Sequence, residues 1–105
     1  MSITKEIGLI RDTIINTIPL RKLYLFGSYA YGEPSEDSDY DFYAVIPNNS
    51  MRPLDAMYEV NMALWDIKNK PMDFLVGTVE SFERRSKQIS LERTIANKGV
   101  LLYES

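Results

Sequence analysis

The stretch "LFGSYAYGEPSEDSDYDFYAVI", Leu25 to Ile46, decides how this chain is read. Glu33, Glu36, Asp37, Asp39 and Asp41 crowd five carboxylates into nine residues, and an apolar and aromatic run follows at once. Like charges this close repel one another. A surface loop tolerates the repulsion, but the mouth of a buried strand does so only with positive charge nearby.

Alternation along a strand makes this concrete. Side chains point to opposite faces in turn, so Asp39 and Asp41 share a face, their Cα atoms about 7 Å apart. Tyr40, Phe42, Ala44 and Ile46 share the other face and read as core. One reading of the pair is an ordinary solvated acidic turn. Another is a calcium loop, because Asp37, Asp39 and Asp41 repeat as D-x-D-x-D. That loop needs Gly at its sixth position and Glu at its twelfth; this chain has Phe42 and Asn48 there. A third reading is a site for Mg²⁺ or Mn²⁺, which prefer hard oxygen ligands and would neutralise the pair.

Composition narrows the chemistry. The 105 residues suffice for one domain with a modest core, and no repeat or linker divides them. Hydrophobic content of 45% and charged content of 26% are those of a globular chain. The net charge of −3 argues against general nucleic-acid binding, which needs a basic patch. There is no cysteine and no histidine. Disulfides, Cys or His zinc sites and imidazole bases are therefore excluded. No apolar run approaches the ~20 residues of a membrane helix, and the first residues lack the order of a signal peptide. A cytoplasmic location is expected. The sequence leaves oligomerisation open.

Outward from the opening stretch, the elements follow from periodicity and punctuation. Ile3, Ile7, Ile10, Ile14 and Ile18 recur at helical spacing, predicting a helix from Ser2 to about Thr17, before Pro19. Lys22–Phe26 is a short buried strand. Ser28 to Tyr31 fits one helical turn, and Gly32 to Ser38 a loop. Asp39–Ile46 is the second strand. Pro53 opens a helix to about Ile67, broken at Asn69-Lys70-Pro71. Met72–Val76 is a third strand closed by Gly77. Thr78 caps a helix through Glu83, Ser90 to Asn97 forms another, and Val100–Tyr103 a last strand. The fold class is α/β (α+β): a mixed sheet of three to four strands with helices packed against it.

Gly27-Ser28 supplies the remaining clue. Glycine lets a backbone approach a phosphate closely, and the amides of a following helical turn attract anions. The run G27-S28-Y29-A30-Y31-G32-x5-S38-D39-Y40-D41 resembles the signature of the DNA polymerase beta-like nucleotidyltransferase superfamily. The resemblance is to its minimal nucleotidyltransferases, which often pair with a HEPN-domain protein. Element order extends it over nearly the whole chain.

What the resemblance implies is specific. Asp39 and Asp41 would bind two divalent ions, Mg²⁺ or Mn²⁺. Asp73, the acid on the next core strand, would complete the second metal site or take the nucleophile's proton. Gly27, Ser28 and Ser38 would hold the phosphates of a nucleoside triphosphate, with ATP as substrate. For these groups to meet, the first two strands must run antiparallel. The third must then run parallel to the second, with the Pro53–Ile67 helix as crossover. Many relatives carry a basic residue where this chain has Tyr31; Lys22 and Arg52 are candidate replacements. Asp55 and Asp66 read as solvated charges, and Tyr29, Tyr31 and Tyr43 as packing residues that could also stack on a base. Larger members carry an added helical domain for which this chain has no room. The resemblance therefore implies an antitoxin that adds AMP to a hydroxyl on a HEPN partner. The rival expectations are a non-catalytic binding module and a stand-alone small-molecule nucleotidyltransferase.

Overall fold

The computed structural model describes residues 4–35, 38–67 and 70–105. Ser2, Ile3, Glu36, Asp37 and Asn69 lie outside the described residues. The first helix, α1 (Lys5–Thr17), is capped by Thr4, whose Oγ1 accepts a hydrogen bond from Ile7 N. Its stop comes before Pro19, as the sequence predicts. Ile7, Ile10, Ile14 and Ile18 are all buried, each contributing about 1.5–3 kcal/mol of apolar burial.

The strands β1 (Lys22–Phe26), β2 (Tyr40–Ile46), β3 (Met72–Thr78) and β4 (Val100–Glu104) form one four-stranded sheet in the order β3-β2-β1-β4. β1 pairs antiparallel with β2 and with β4. β2 and β3 run parallel, joined through the crossover helix α3 (Pro53–Ala63). A single turn, α2 (Ser28–Tyr31), follows β1. α4 (Val79–Ser86), capped by Thr78, and α5 (Leu91–Lys98), capped by Ser90, precede β4.

The sheet is covered on both faces because its strands alternate two apolar sets. Leu23, Leu25, Phe42, Ala44, Ile46 and Phe74 pack with the isoleucines of α1 and with Ala56 and Val60 of α3. On the other face Tyr24, Phe26, Tyr43 and Val45 pack with Phe82 of α4 and Ile95 of α5. Tyr40 joins the first set, against Tyr29 and hydrogen-bonded to Glu6.

Several boundaries differ from the sequence reading. Asp39 precedes β2 rather than opening it. The helix after Pro53 is regular only to Ala63, and residues 64–67 continue as turns. α4 runs on to Ser86 because Phe82 gives it a buried anchor. Gly77 does not close β3; it lies inside it, opposite Val45. A Cβ on Gly77 would collide with the hydroxyl of Tyr43, so this glycine is there to admit a side chain rather than to end a strand.

Candidate active site

The register of three strands assembles the candidate site. Asp41 is paired with Phe26 on its β1 side and with Asp73 on its β3 side. Directly opposed residues share a face, so all three project toward the side that carries α4 and α5. Tyr40 N donates to Pro71 O at 3.1 Å, which sets the start of the parallel ladder and hence the alignment of Asp41 with Asp73.

The corner after β1 completes the arrangement. Gly27 has φ +73°, a conformation that an L side chain rarely adopts. It starts α2, with the amides of Ala30 and Tyr31 donating to Gly27 O. The carboxylate of Asp41 lies against its Cα. A Cβ there would overlap Oδ2 and sit 3.0 Å from Cγ. The glycine is thus required twice, by its backbone angle and by its neighbour.

Electrostatics single out Asp41. Burial, the charge and hydrogen bond of Asp73, and the charge of Asp39 together push its carboxyl up to about 6. Among the described residues, Asp39, Asp41 and Asp73 make no ion pair. Asp41 and Asp73 are brought together; Asp39, exposed at the approach to β2, acts on Asp41 through its charge. Among the described residues no group of three or more carboxylates is closed into a metal cage. The donor set still fits a divalent ion: it is all hard oxygen, and burial with the like charges of Asp73 and Asp39 disfavours the Asp41 carboxylate in a way that a cation would offset.

Asp41 and Asp73 line an open cleft of about 490 Å³, within the size range of small-molecule sites; Asp39 does not line it. Phe26, Met72, Phe74, Leu75 and Leu91 form its apolar walls, and Met57 and Asn61 of α3 border it. Gly27 and Ser28 are half-buried at the end of β1 beside Asp41, and Ser38 lies just before β2, its hydroxyl accepting from Ser35 N.

Two sequence candidates do not reach the site. Lys22 sits at the opposite end of β1 from Gly27 and lies 3.6 Å from Glu104. Arg52 precedes α3 and pairs with Asp55 at 2.9 Å. It borders Thr78, at the far end of β3 from Asp73. Neither replaces a cation at Tyr31, which is exposed. Asp55 and Asp66 are exposed, as expected.

One supporting group is invisible in sequence. Tyr43, two residues beyond Asp41 on the same face, donates to Oε2 of Glu92 at 3.0 Å, and Arg85 Nε lies 3.0 Å from Oε1. Glu92 is only 8% exposed. Burial opposes its charge, but the backbone N–H, Arg85 and Tyr43 outweigh it and hold the carboxyl below its usual value. This network ties α5 to β2 and holds Leu91 over the cleft. Alternation alone would have put Tyr43 on the Asp41 face; a partner 49 residues away could not be read.

A pH prediction follows from Asp41. Its folded carboxyl binds a proton more tightly than the unfolded one, so in the metal-free chain it costs stability as pH rises from 3.8 to about 6. Because solvent reaches the group, the expected cost is about 1 kcal/mol rather than the full shift. Asp41→Asn should gain that much on wild type between pH 4 and pH 7, in urea melts with EDTA. A pH-independent difference would contradict it.

The comparisons with known proteins meet this geometry. The model of the family "Polymerase beta, Nucleotidyltransferase" matches residues 9–105. The chain belongs to the polymerase beta nucleotidyltransferase family. Its fold agrees with solved structures of low identity. A candidate nucleotidyltransferase from Sulfolobus solfataricus superposes with TM-score 0.65 at 22% identity, covering 95% of this chain and 78% of that one. A toxin–antitoxin with AMP-PNP gives TM-score 0.67 at 21% identity over 97% and 75% of the two chains. A mutant of the toxin–antitoxin MntA–HpeT gives 0.63 at 18%, with the same coverage. No curated protein matches the chain. The nucleotidyltransferase domain thus accounts for the mixed four-stranded sheet and the helices packed against it.

Proposed function

We propose that the chain is a single-domain, metal-dependent nucleotidyltransferase of the cytoplasm that moves AMP from ATP onto a hydroxyl of a HEPN-fold toxin partner, and so acts as an antitoxin. The observation that carries the reading is Asp41, set in register beside Asp73 and against the Gly27 turn, with its carboxyl pushed up to about 6. The toxin–antitoxin with AMP-PNP among similar structures supports both the adenosine donor and the class of partner.

Asp39 and Asp41 would hold two divalent ions, Mg²⁺ or Mn²⁺, with Asp73 completing the second position or accepting the hydroxyl proton. When bound, the ions supply charge neutralisation of the triphosphate and a lowered pKa for the attacking hydroxyl. Gly27 and Ser28 hold the β- and γ-phosphates, and Ser38 adds a donor at the same end. The hydroxyl oxygen bonds to the α-phosphorus, the bond from that phosphorus to the β-phosphate's bridging oxygen breaks, and pyrophosphate leaves. Positioning and charge carry the rate, so the lack of histidine is no obstacle.

Two measurements test this. Saturating Mn²⁺ should raise the melting temperature by about 5–10 °C, with a non-hydrolysable ATP analogue adding more. With Mg²⁺, label from α-labelled ATP should pass to the co-purified partner. No thermal shift with either ligand counts against the metal site, and no label transfer counts against the enzymatic reading.

A further inference from the structure

We infer that the outward face of α3 is the docking surface for a partner helix bearing an apolar ridge and basic flanking residues; this rests on the partner reading above and names where that partner sits. Leu54, Tyr58 and Met62 recur at helical spacing on α3 and are 75%, 63% and 58% exposed. Trp65, in the turn that follows, is 76% exposed. All four lie on one side of the helix, away from Ala56, Val60 and Leu64, which face the core. Together they present on the order of 500 Å² of apolar and aromatic surface, taking about 200 Å² for each fully open side chain. That is near the largest patch of an ordinary monomer, about 300–600 Å², and approaches the ~800 Å² that one partner contributes to a standard interface. Tyr and Trp are also the side chains in which interface energy concentrates.

Charge selects the occupant. Glu59 on α3 and Asp66 in the following turn line one flank of the stripe, while Asp55 beside them is already paired with Arg52. In a two-fold pair of antiparallel α3 helices, that acidic flank would face its own copy. In a parallel pair it would face the other flank, where Met57 borders the Asp41 and Asp73 cleft. The first sets acid against acid and the second sets it against Met57 and Asn61, which carry no positive charge, so a second copy of this chain complements the flank poorly. Lys and Arg on a partner helix would complement the flank.

Position ties the surface to the site. Asn61 lies within the stripe and Met57 at its edge, and both border the cleft that holds Asp41 and Asp73. A protein seated on α3 therefore has its surface beside those carboxylates, where an acceptor hydroxyl is needed.

The test uses the whole chain and the purified product of the gene beside its own. Affinity is measured by calorimetry for wild type, Leu54→Glu, Trp65→Glu and Glu59→Lys, and each chain alone is checked by sedimentation and thermal melting. These side chains are exposed, so the variants should melt with wild type. Leu54→Glu and Trp65→Glu should weaken the complex at least about 30-fold, and Glu59→Lys about threefold, with less dependence on salt. Protection of residues 54–66 from hydrogen exchange in the wild-type complex supplies a readout independent of the variants. Equal affinity for all variants, or no protection there, overturns the inference and leaves the proposed function standing. Failure of wild type to bind removes the partner reading itself. A wild-type dimer that Trp65→Glu dissociates would assign the face to self-association and overturn the inference.

Discussion

Asp39→Asn combined with Asp41→Asn should reduce Mg²⁺-dependent label transfer by about 10³-fold or more, without unfolding the chain. The size follows from the proposed role: removing charge that stabilises a transition state typically costs about 10²–10³ per group, and in the proposed site both acids would serve the same pair of ions. The second half of the prediction makes it diagnostic. Asp41 is partly buried and crowded by Asp73 and Asp39, which raises its carboxyl, so replacing its charge relieves desolvation and repulsion. The double variant should melt at or above wild type in EDTA and should lose the Mn²⁺-induced rise. A structural role for the aspartates would give the reverse, with lower melting and transfer reduced in proportion to the folded fraction. Equal labelling by wild type and variant would exclude the enzymatic role and leave a binding module.

Gly27→Ala should be the most damaging single methyl in the molecule. The residue sits at φ +73°, where an L side chain costs about 1–3 kcal/mol. Its new Cβ would occupy the position of Asp41 Oδ2. Asp41 cannot swing aside freely, because Phe26 and Asp73 flank it in register. The expected result is about 2–4 kcal/mol of destabilisation and a loss of transfer of about 10²-fold in the fraction that remains folded. Gly8→Ala is the control. Gly8 lies within α1 with open space around it, the nearest neighbour of an added Cβ being Arg11 at 3.8 Å. That change should stabilise by about 0.5–1 kcal/mol. If both substitutions behave alike, the close approach of Asp41 to the turn is not what the chain requires of Gly27.

Much of this was legible before any coordinates. The isoleucine period of α1, the alternation of β2, and Gly and Pro as punctuation give the element order because each is a local rule. Topology followed from one demand, that Gly27, Asp41 and Asp73 share a sheet edge, and the strand pairing agrees with it. The misreadings fell where a distant contact overrode a local signal. Gly77 reads as a strand end, yet it lies within β3 beneath the Tyr43 hydroxyl. Lys22 and Arg52 read as spare cations, yet each faces a carboxylate elsewhere.

By itself, the sequence determined which side chains occupy each face of β2 and that no His or Cys could carry the chemistry, since backbone alternation and the absence of those residues depend on no neighbour. Only the tertiary structure decided what those groups feel. Asp73 becomes the neighbour that raises Asp41, Glu92 the buried partner of Tyr43, and Leu54, Tyr58, Met62 and Trp65 an open face rather than a core. Proton affinity and burial depend on distances between residues far apart in the chain, and packing alone sets those distances.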